Sequence, residues 1–209
     1  IVGVLAILLF EHNHAFKGLS WHQSLFYSLF QSATTRSAGL QTIDVTTLSD
    51  PTNIIMGILM FIGSSPSSVG GGIRTTTFAI LILFLINFSN NADKTSIKVY
   101  NREVHIMDIQ RSFAVFTMAT ILTFLGMLII SATENGKLTF LQVFFEVMSA
   151  FGTCGLSLGV TSDISDISKV VLMVLMFIGR VGLISFIIMI AGRREPDKFH
   201  YPKERIQIG

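Results

Sequence analysis

The chain has 209 residues, of which 50% are hydrophobic and only 13% charged; its formal net charge is +2 and its mean hydropathy +0.64. Soluble domains carry about a quarter charged residues, so the composition excludes an ordinary soluble protein and indicates an integral membrane one. A single cysteine, Cys154, excludes intrachain disulfides and multi-cysteine metal centres, and no basic block calls for nucleic acid.

The chain opens on IVGVLAILLF, with neither an initiator methionine nor a basic leader, which reads as the inside of a helix in a longer chain. Apolar segments are predicted at 1–10, 52–62, 73–88, 109–130 and 168–191. Two shorter amphipathic segments, 21–33 and 139–151, are too short to cross about 30 Å of hydrocarbon as helices. Each runs directly into a small, polar, glycine-bearing stretch: TTRSAGL at 34–40 and FGTCGLS from residue 151. A polar loop and another apolar segment follow each.

A shift of about 116 residues lays Gly39-Leu40 on Gly155-Leu156, Ser49-Asp50 on Ser165-Asp166, and LMFIG (59–63) on LMFIG (175–179). One gapless offset for three blocks marks two copies of one membrane module. The predicted fold is therefore all-α: tandem helix–short helix–loop–helix repeats at 1–108 and 109–209. Lys94, Lys98, Arg102 and Arg111 in and beside the linker, and Arg193, Arg194, Lys198, Lys203 and Arg205 in the tail, put both on the cytoplasmic side. Glu11, Asp44, Asp50, Glu134, Asp163 and Asp166 then lie outside, and each short helix enters from that side and returns to it.

Backbone that turns back at membrane depth needs a cavity or protein around it. A permeating cation supplies a reason, because carbonyl oxygens can replace its hydration shell and a short helix aims its partly negative C-terminus at it. One such run would read as a helix C-cap; two in one register favour a filter. The residues alone do not separate potassium from sodium.

GSSPSSVGGGIRTT (63–76) interrupts the helix expected over 52–88, since proline lacks a donor and three glycines disfavour a helix. It reads as a break facing a cavity, against an ordinary kink or a cytoplasmic turn; no Gly-Lys-Ser/Thr supports a phosphate loop. The matching stretch 179–188 is apolar and is predicted to stay helical. Arg180, in the midst of 168–191, should face a polar interior, either as an electrostatic barrier or as a donor to the broken loop's carbonyls.

TTRSAGL, FIGSSPSSVGGGIRTTTFA, SAFGTCGLSLG and FIGRVGLISF resemble the third and fourth repeats of the Trk/Ktr/HKT potassium transporter superfamily, on its bacterial Ktr membrane-subunit side. The resemblance implies potassium uptake across the cell membrane through four pseudo-symmetric repeats around one pore, two of them in this chain. It implies a filter from Thr35, Arg36, Ser37, Ala38 and Gly39 with Phe151, Gly152, Thr153, Cys154 and Gly155. Potassium, with sodium possible, would meet carbonyls near Ser37, Ala38, Gly39, Thr153, Cys154 and Gly155, and no other cofactor is implied. It implies a gate of Gly63, Ser64, Ser65, Pro66, Ser67, Ser68, Val69, Gly70, Gly71 and Gly72 with Arg180. Its implied partners are a second protomer, the lipid bilayer and a cytoplasmic ring of nucleotide-binding RCK-type subunits such as KtrA.

Arg36 and Glu146 are expected to pair, with each other or with similar residues, bracing the filter from behind. His12 and His14 read as loop residues, 90–108 as an amphipathic helix on the cytoplasmic face, and the tail as polar and non-spanning. A rival reading, an intramembrane hydrolase using Ser64, Ser65, Ser67 or Ser68, needs a partnered base, and His22 and His105 lie only at segment edges. A second rival, a non-conducting structural subunit, leaves the duplicated runs without a purpose.

Overall fold

The computed structural model describes residues 1–90, 98–99 and 102–182. Helix α1 (Val2–Glu11) leads to the short α2 (Trp21–Thr34), a 3-10 turn (Val45–Thr47), α3 (Asp50–Phe61) and α4 (Thr75–Asn90). After the linker come α5 (Ile106–Thr133), the short α6 (Phe140–Phe151) and α7 (Asp166–Val181). Only α5 among the described helices is long and apolar enough to cross a membrane by itself; its 28 residues reach about 42 Å.

Two expectations fail. The described linker residues form a two-residue antiparallel ribbon, β1 (Lys98–Val99) with β2 (Arg102–Glu103), in place of an amphipathic helix. Helix α7 stops at Val181 because Gly182 takes a φ of +88° that cannot continue a helix, so 168–191 is not one unbroken helix. Residues 183–191 and the tail lie outside the described residues, as does the expected helicity of 183–188.

The two short helices start alike. The Ser20 N–H donates to Gln23 Oε1 at 3.2 Å, and the Thr139 N–H to Gln142 Oε1 at 2.9 Å, so each helix opens on a capping box. Helix α2 packs on α1, and α6 on α5 and α7, while α6 also crosses to α3. At that crossing Gly57 meets Phe144, where a methyl group would fall 2.4 Å from the ring edge. Ile7, Met56, Met60, Phe145, Cys154 and Leu156 share one buried apolar cluster drawn from both halves of the chain.

A second matched device is a buried acid. Glu11 closes α1 and accepts from the Ser49 N–H (2.9 Å) and Oγ (2.6 Å) at the start of α3. Glu134, just past α5, accepts from the Ser165 N–H (2.8 Å) and from Ser168 Oγ (2.7 Å) at the start of α7. Each carboxylate clasps the C-terminal end of one helix to the N-terminus of another, where the helix dipole favours negative charge. By sequence both acids read as loop charges, because their serine partners lie 38 and 31 residues away.

Removing Glu11 strands the Ser49 and Ala15 donors, so Glu11→Ala is expected to lower unfolding stability in detergent by about 3 kcal/mol. The Glu134 carboxyl is held below its ordinary value of 4.5, first by the Ser165 N–H and then by the Ser168 and Ser165 hydroxyls. A depressed carboxyl stabilises fully above its unfolded value and loses that stabilisation as pH falls through the folded one. Melting temperature should therefore be level above 4.5 and fall below it, and Glu134→Gln should reduce that fall.

Candidate functional site

The site lies where the C-terminal ends of α2 and α6 meet the broken loop after α3. Both glycine runs use one alternating backbone. Ser37 and Gly39 have φ of +68°, and their counterparts Thr153 and Gly155 have +50° and +92°. Two left-handed residues one apart turn the intervening peptide sharply, and Ser37 and Thr153 adopt that region against the steric preference of side chains with a Cβ.

The runs touch directly. Ser37 Oγ donates to the Gly152 carbonyl at 2.9 Å, and Cys154 Sγ to the Thr34 carbonyl at 3.2 Å. The Gly39 Cα packs on the Cys154 carbonyl so closely that an added Cβ would lie 2.1 Å from its oxygen. Thr35 and Phe151 are buried, whereas Arg36 and Ala38 are exposed. The carbonyl oxygens of Ser37, Ala38, Gly39, Thr153, Cys154 and Gly155 accept no hydrogen bond among the described residues. A cavity of about 440 Å³ adjoins the second run, lined by Ser149, Thr153, Cys154, Gly155, Met176, Phe177 and Arg180. Arg180 is the one cationic side chain in that lining.

The expected pairing of Arg36 with Glu146 is not present among the described residues. Glu146, buried on α6, accepts from Ser157 Oγ, the Leu158 N–H (3.1 Å) and Thr161 Oγ1 (2.9 Å). It braces the chain leaving the second run through hydroxyls and an amide, which suits a buried carboxylate.

Beneath the runs, residues 63–72 fold back on α3. The Ile73 N–H reaches the Phe61 carbonyl at 3.0 Å and the Thr75 N–H the Ser64 carbonyl at 3.3 Å. The glycines are needed for contact here: a Cβ on Gly63 would lie 1.9 Å from the Gly71 carbonyl oxygen. The Gly71 N–H donates to Thr153 Oγ1 at 3.0 Å, tying the loop to the second run. Gly70 lies against Ser64 and Ser37. The tip, with Ser65, Pro66, Ser67 and Val69, is exposed.

A residue that sequence analysis passed over holds that tip. Arg74 Nη1 donates to the Ser68 carbonyl at 2.9 Å and to the Ser65 carbonyl at 3.2 Å. Ser68 Oγ closes the turn on Ser64 Oγ (2.5 Å) and the Ser65 carbonyl (2.6 Å). The carbonyl-anchoring role considered for Arg180 thus belongs to Arg74, and Arg180 faces the cavity. Arg74 was visible as the one cation beside the triple glycine. His12 and His14 are exposed beyond α1, as expected.

A family model described as TrkH, cation transport protein, matches residues 1–200. The chain belongs to this family. The TrkH-family chain is 51% identical over 209 residues to Ktr system potassium uptake protein D of Bacillus subtilis (strain 168), covering 100% of this chain and 46% of that protein. It is 34% identical over 207 residues to Ktr system potassium uptake protein B of Vibrio alginolyticus, covering 99% of this chain and 44% of the relative. The chain therefore spans about half the length of these curated relatives. A crystal structure of the potassium transporter TrkH from Vibrio parahaemolyticus matches its fold with a TM-score of 0.74 at 22% identity, over 90% of this chain and 41% of that one. The broken-loop and glycine-run geometry of this TrkH-family chain thus sits within a cation-transporter fold.

Proposed function

We propose that the chain is part of the membrane-embedded translocating subunit of a potassium uptake system, and that its two glycine runs supply two of four filter segments around one pore. Residues 1–108 and 109–209 are then two helix–pore-helix–helix repeats, with α2 and α6 as pore helices. A potassium ion exchanges its hydration shell for carbonyls near Ser37, Ala38 and Gly39 on one side and Thr153, Cys154 and Gly155 on the other. The C-termini of α2 and α6 add partial negative charge where the ion rests.

The observation that carries this reading is the pair of directly touching runs with matched left-handed residues, whose carbonyls at 37–39 and 153–155 accept no hydrogen bond among the described residues. In a membrane interior, unpaired carbonyls at this density are tolerated only along a cavity. The loop 63–72 acts as the gate below, tied to the filter by Thr153 and closed by Arg74, with Arg180 setting a positive potential in the cavity. The Ktr relatives are named as parts of a system, which supports work with regulatory partners; a homodimer with a cytoplasmic nucleotide-binding ring on the linker and tail is the form proposed for them.

The test is rubidium uptake by potassium-uptake-deficient bacteria expressing the full-length protein containing this chain together with its regulatory subunit. Saturable uptake competed by potassium is expected. Correctly inserted protein without such uptake would overturn the reading.

A further inference from the structure

The contact between the two halves of the chain is a template for a face that α2 leaves uncovered. Helix α3 of the first half lies across α6, the short helix of the second. Phe145 on α6 shares a buried apolar cluster with Met56 and Met60 of α3 and is 0% exposed. Two turns on, Gly152 meets the end of the same helix: a Cβ there would lie 2.4 Å from the Met60 carbonyl oxygen. Met60 stands in the last turn of α3, and its carbonyl accepts no hydrogen bond among the described residues. Orphan carbonyls of this kind give a helix C-terminus its partial negative charge.

The same seat recurs on α2. The shift of 116 residues that matches the two glycine runs lays Leu29 on Phe145 and Arg36 on Gly152. Residues seven apart share one helix face. On α2 that face is open: Leu29 is 44% exposed, and Phe26 and Arg36 are exposed with it. No hydrogen bond or ion pair engages the Arg36 side chain among the described residues. The other end of the series is open too, since Met176 on α7 is 43% exposed although its counterpart Met60 is buried. A head-to-tail contact between successive modules leaves two such ends after two copies. The curated relatives are about twice as long as this chain, of which it covers 46% in one case and 44% in another.

We infer that α2 is the docking face for a long helix from the part of the full-length polypeptide outside this chain, and that Arg36 binds the C-terminal carbonyls of that helix. The inference rests on the reading above that further copies of the module lie there. Acyl chains would cover Phe26 and Leu29 equally well, but they would leave the guanidinium unpaired at membrane depth, which is costly. A helix end serves both parts of the face. Its apolar side chains cover the stripe, and its last carbonyls accept from a cationic donor fork. The Met60 carbonyl approaches Gly152 only because no Cβ is there. At position 36 the docked helix must stand further off, and the guanidinium spans the gap. The two short helices are thus held from behind by different means, one by close backbone contact and the other by a charged cap.

Photo-crosslinking of the full-length protein identifies the occupant, with p-benzoylphenylalanine in place of Leu29. The expected product joins position 29, within one polypeptide, to a peptide from outside residues 1–209 of this chain. A crosslink between two polypeptides, to lipid alone, or to a peptide of this chain would overturn the inference. Arg36→Met removes the donors and should lower the melting temperature in detergent by roughly 3–6 °C; Arg36→Lys, which keeps a charged donor, should lower it less. No loss with Arg36→Met, or an equal loss with both, would overturn the cap. An experimental map of the wild-type protein, which needs no variant to fold, should show the guanidinium within hydrogen-bond reach of a main-chain carbonyl in the last turn of a helix. A carboxylate partner, or a guanidinium in solvent, would overturn it as well. None of these readouts depends on transport, so they can fail where rubidium uptake succeeds, and the reverse.

Discussion

On the proposed filter reading, Gly39→Ala is expected to reduce potassium uptake by the full-length protein at least a hundredfold and Gly155→Ala about tenfold, with both proteins reaching the membrane in normal amounts. Both glycines sit at positive φ, so an alanine at either position costs about 1–2 kcal/mol of backbone strain, on the order of tenfold. They part company in space. The Cβ of an alanine at position 39 would lie 2.1 Å from the Cys154 carbonyl oxygen, whereas nothing stands within 4 Å of one at Gly155. The obstacle at Gly39 is main chain of the other glycine run, which cannot rotate aside, so both runs are displaced at once. Rubidium uptake normalised to surface protein measures both variants. Equal effects would show that the contact between the runs does not set the ion's surroundings.

The second large effect is expected at the loop proposed as the gate. Arg74→Gln should raise potassium flux through the full-length protein about tenfold in the absence of the proposed regulatory subunit and leave the preference for potassium over sodium unchanged. Arg74 donates to two carbonyls of the loop's exposed tip. Charge-assisted bonds of this kind contribute about 1.5–3 kcal/mol each, and losing even one such increment shifts a closed–open equilibrium about tenfold. Selectivity should be unmoved because Arg74 touches neither glycine run; the loop meets the runs through Gly71, which donates to Thr153, and Gly70, which lies against Ser37. Flux in vesicles at matched protein density reads this out. A variant with wild-type basal flux, or with altered selectivity, would show that Arg74 does not hold the barrier.

Family membership explains why so much was legible in the sequence, and the particular residues show where legibility stopped. The short helices, the runs they lead into and the break at 63–76 stood out because glycine, proline and length each leave a local mark: φ freedom, a missing donor, too few residues to span a bilayer. Side-chain partnerships left no such mark. Arg36 and Glu146 read as complementary charges, yet Glu146 is satisfied by Ser157, Leu158 and Thr161, neighbours that only the return of the chain after the second glycine run brings within reach. By sequence Arg180 could be either an electrostatic barrier or a donor to the loop's carbonyls, and the cation that donates to those carbonyls is Arg74.

By itself, then, the sequence determined the membrane class, the twofold internal repetition, the glycine runs and the break, because composition, periodicity and backbone permission are properties of neighbours along the chain. The tertiary structure alone decided that the two runs touch at Gly39 and Cys154, that Glu11 and Glu134 are helix clasps, and that the loop is tied to Thr153. Those contacts join residues 31 or more positions apart. Distances of that kind are fixed by how helices pack across the core, and pairwise packing is not written in any local pattern.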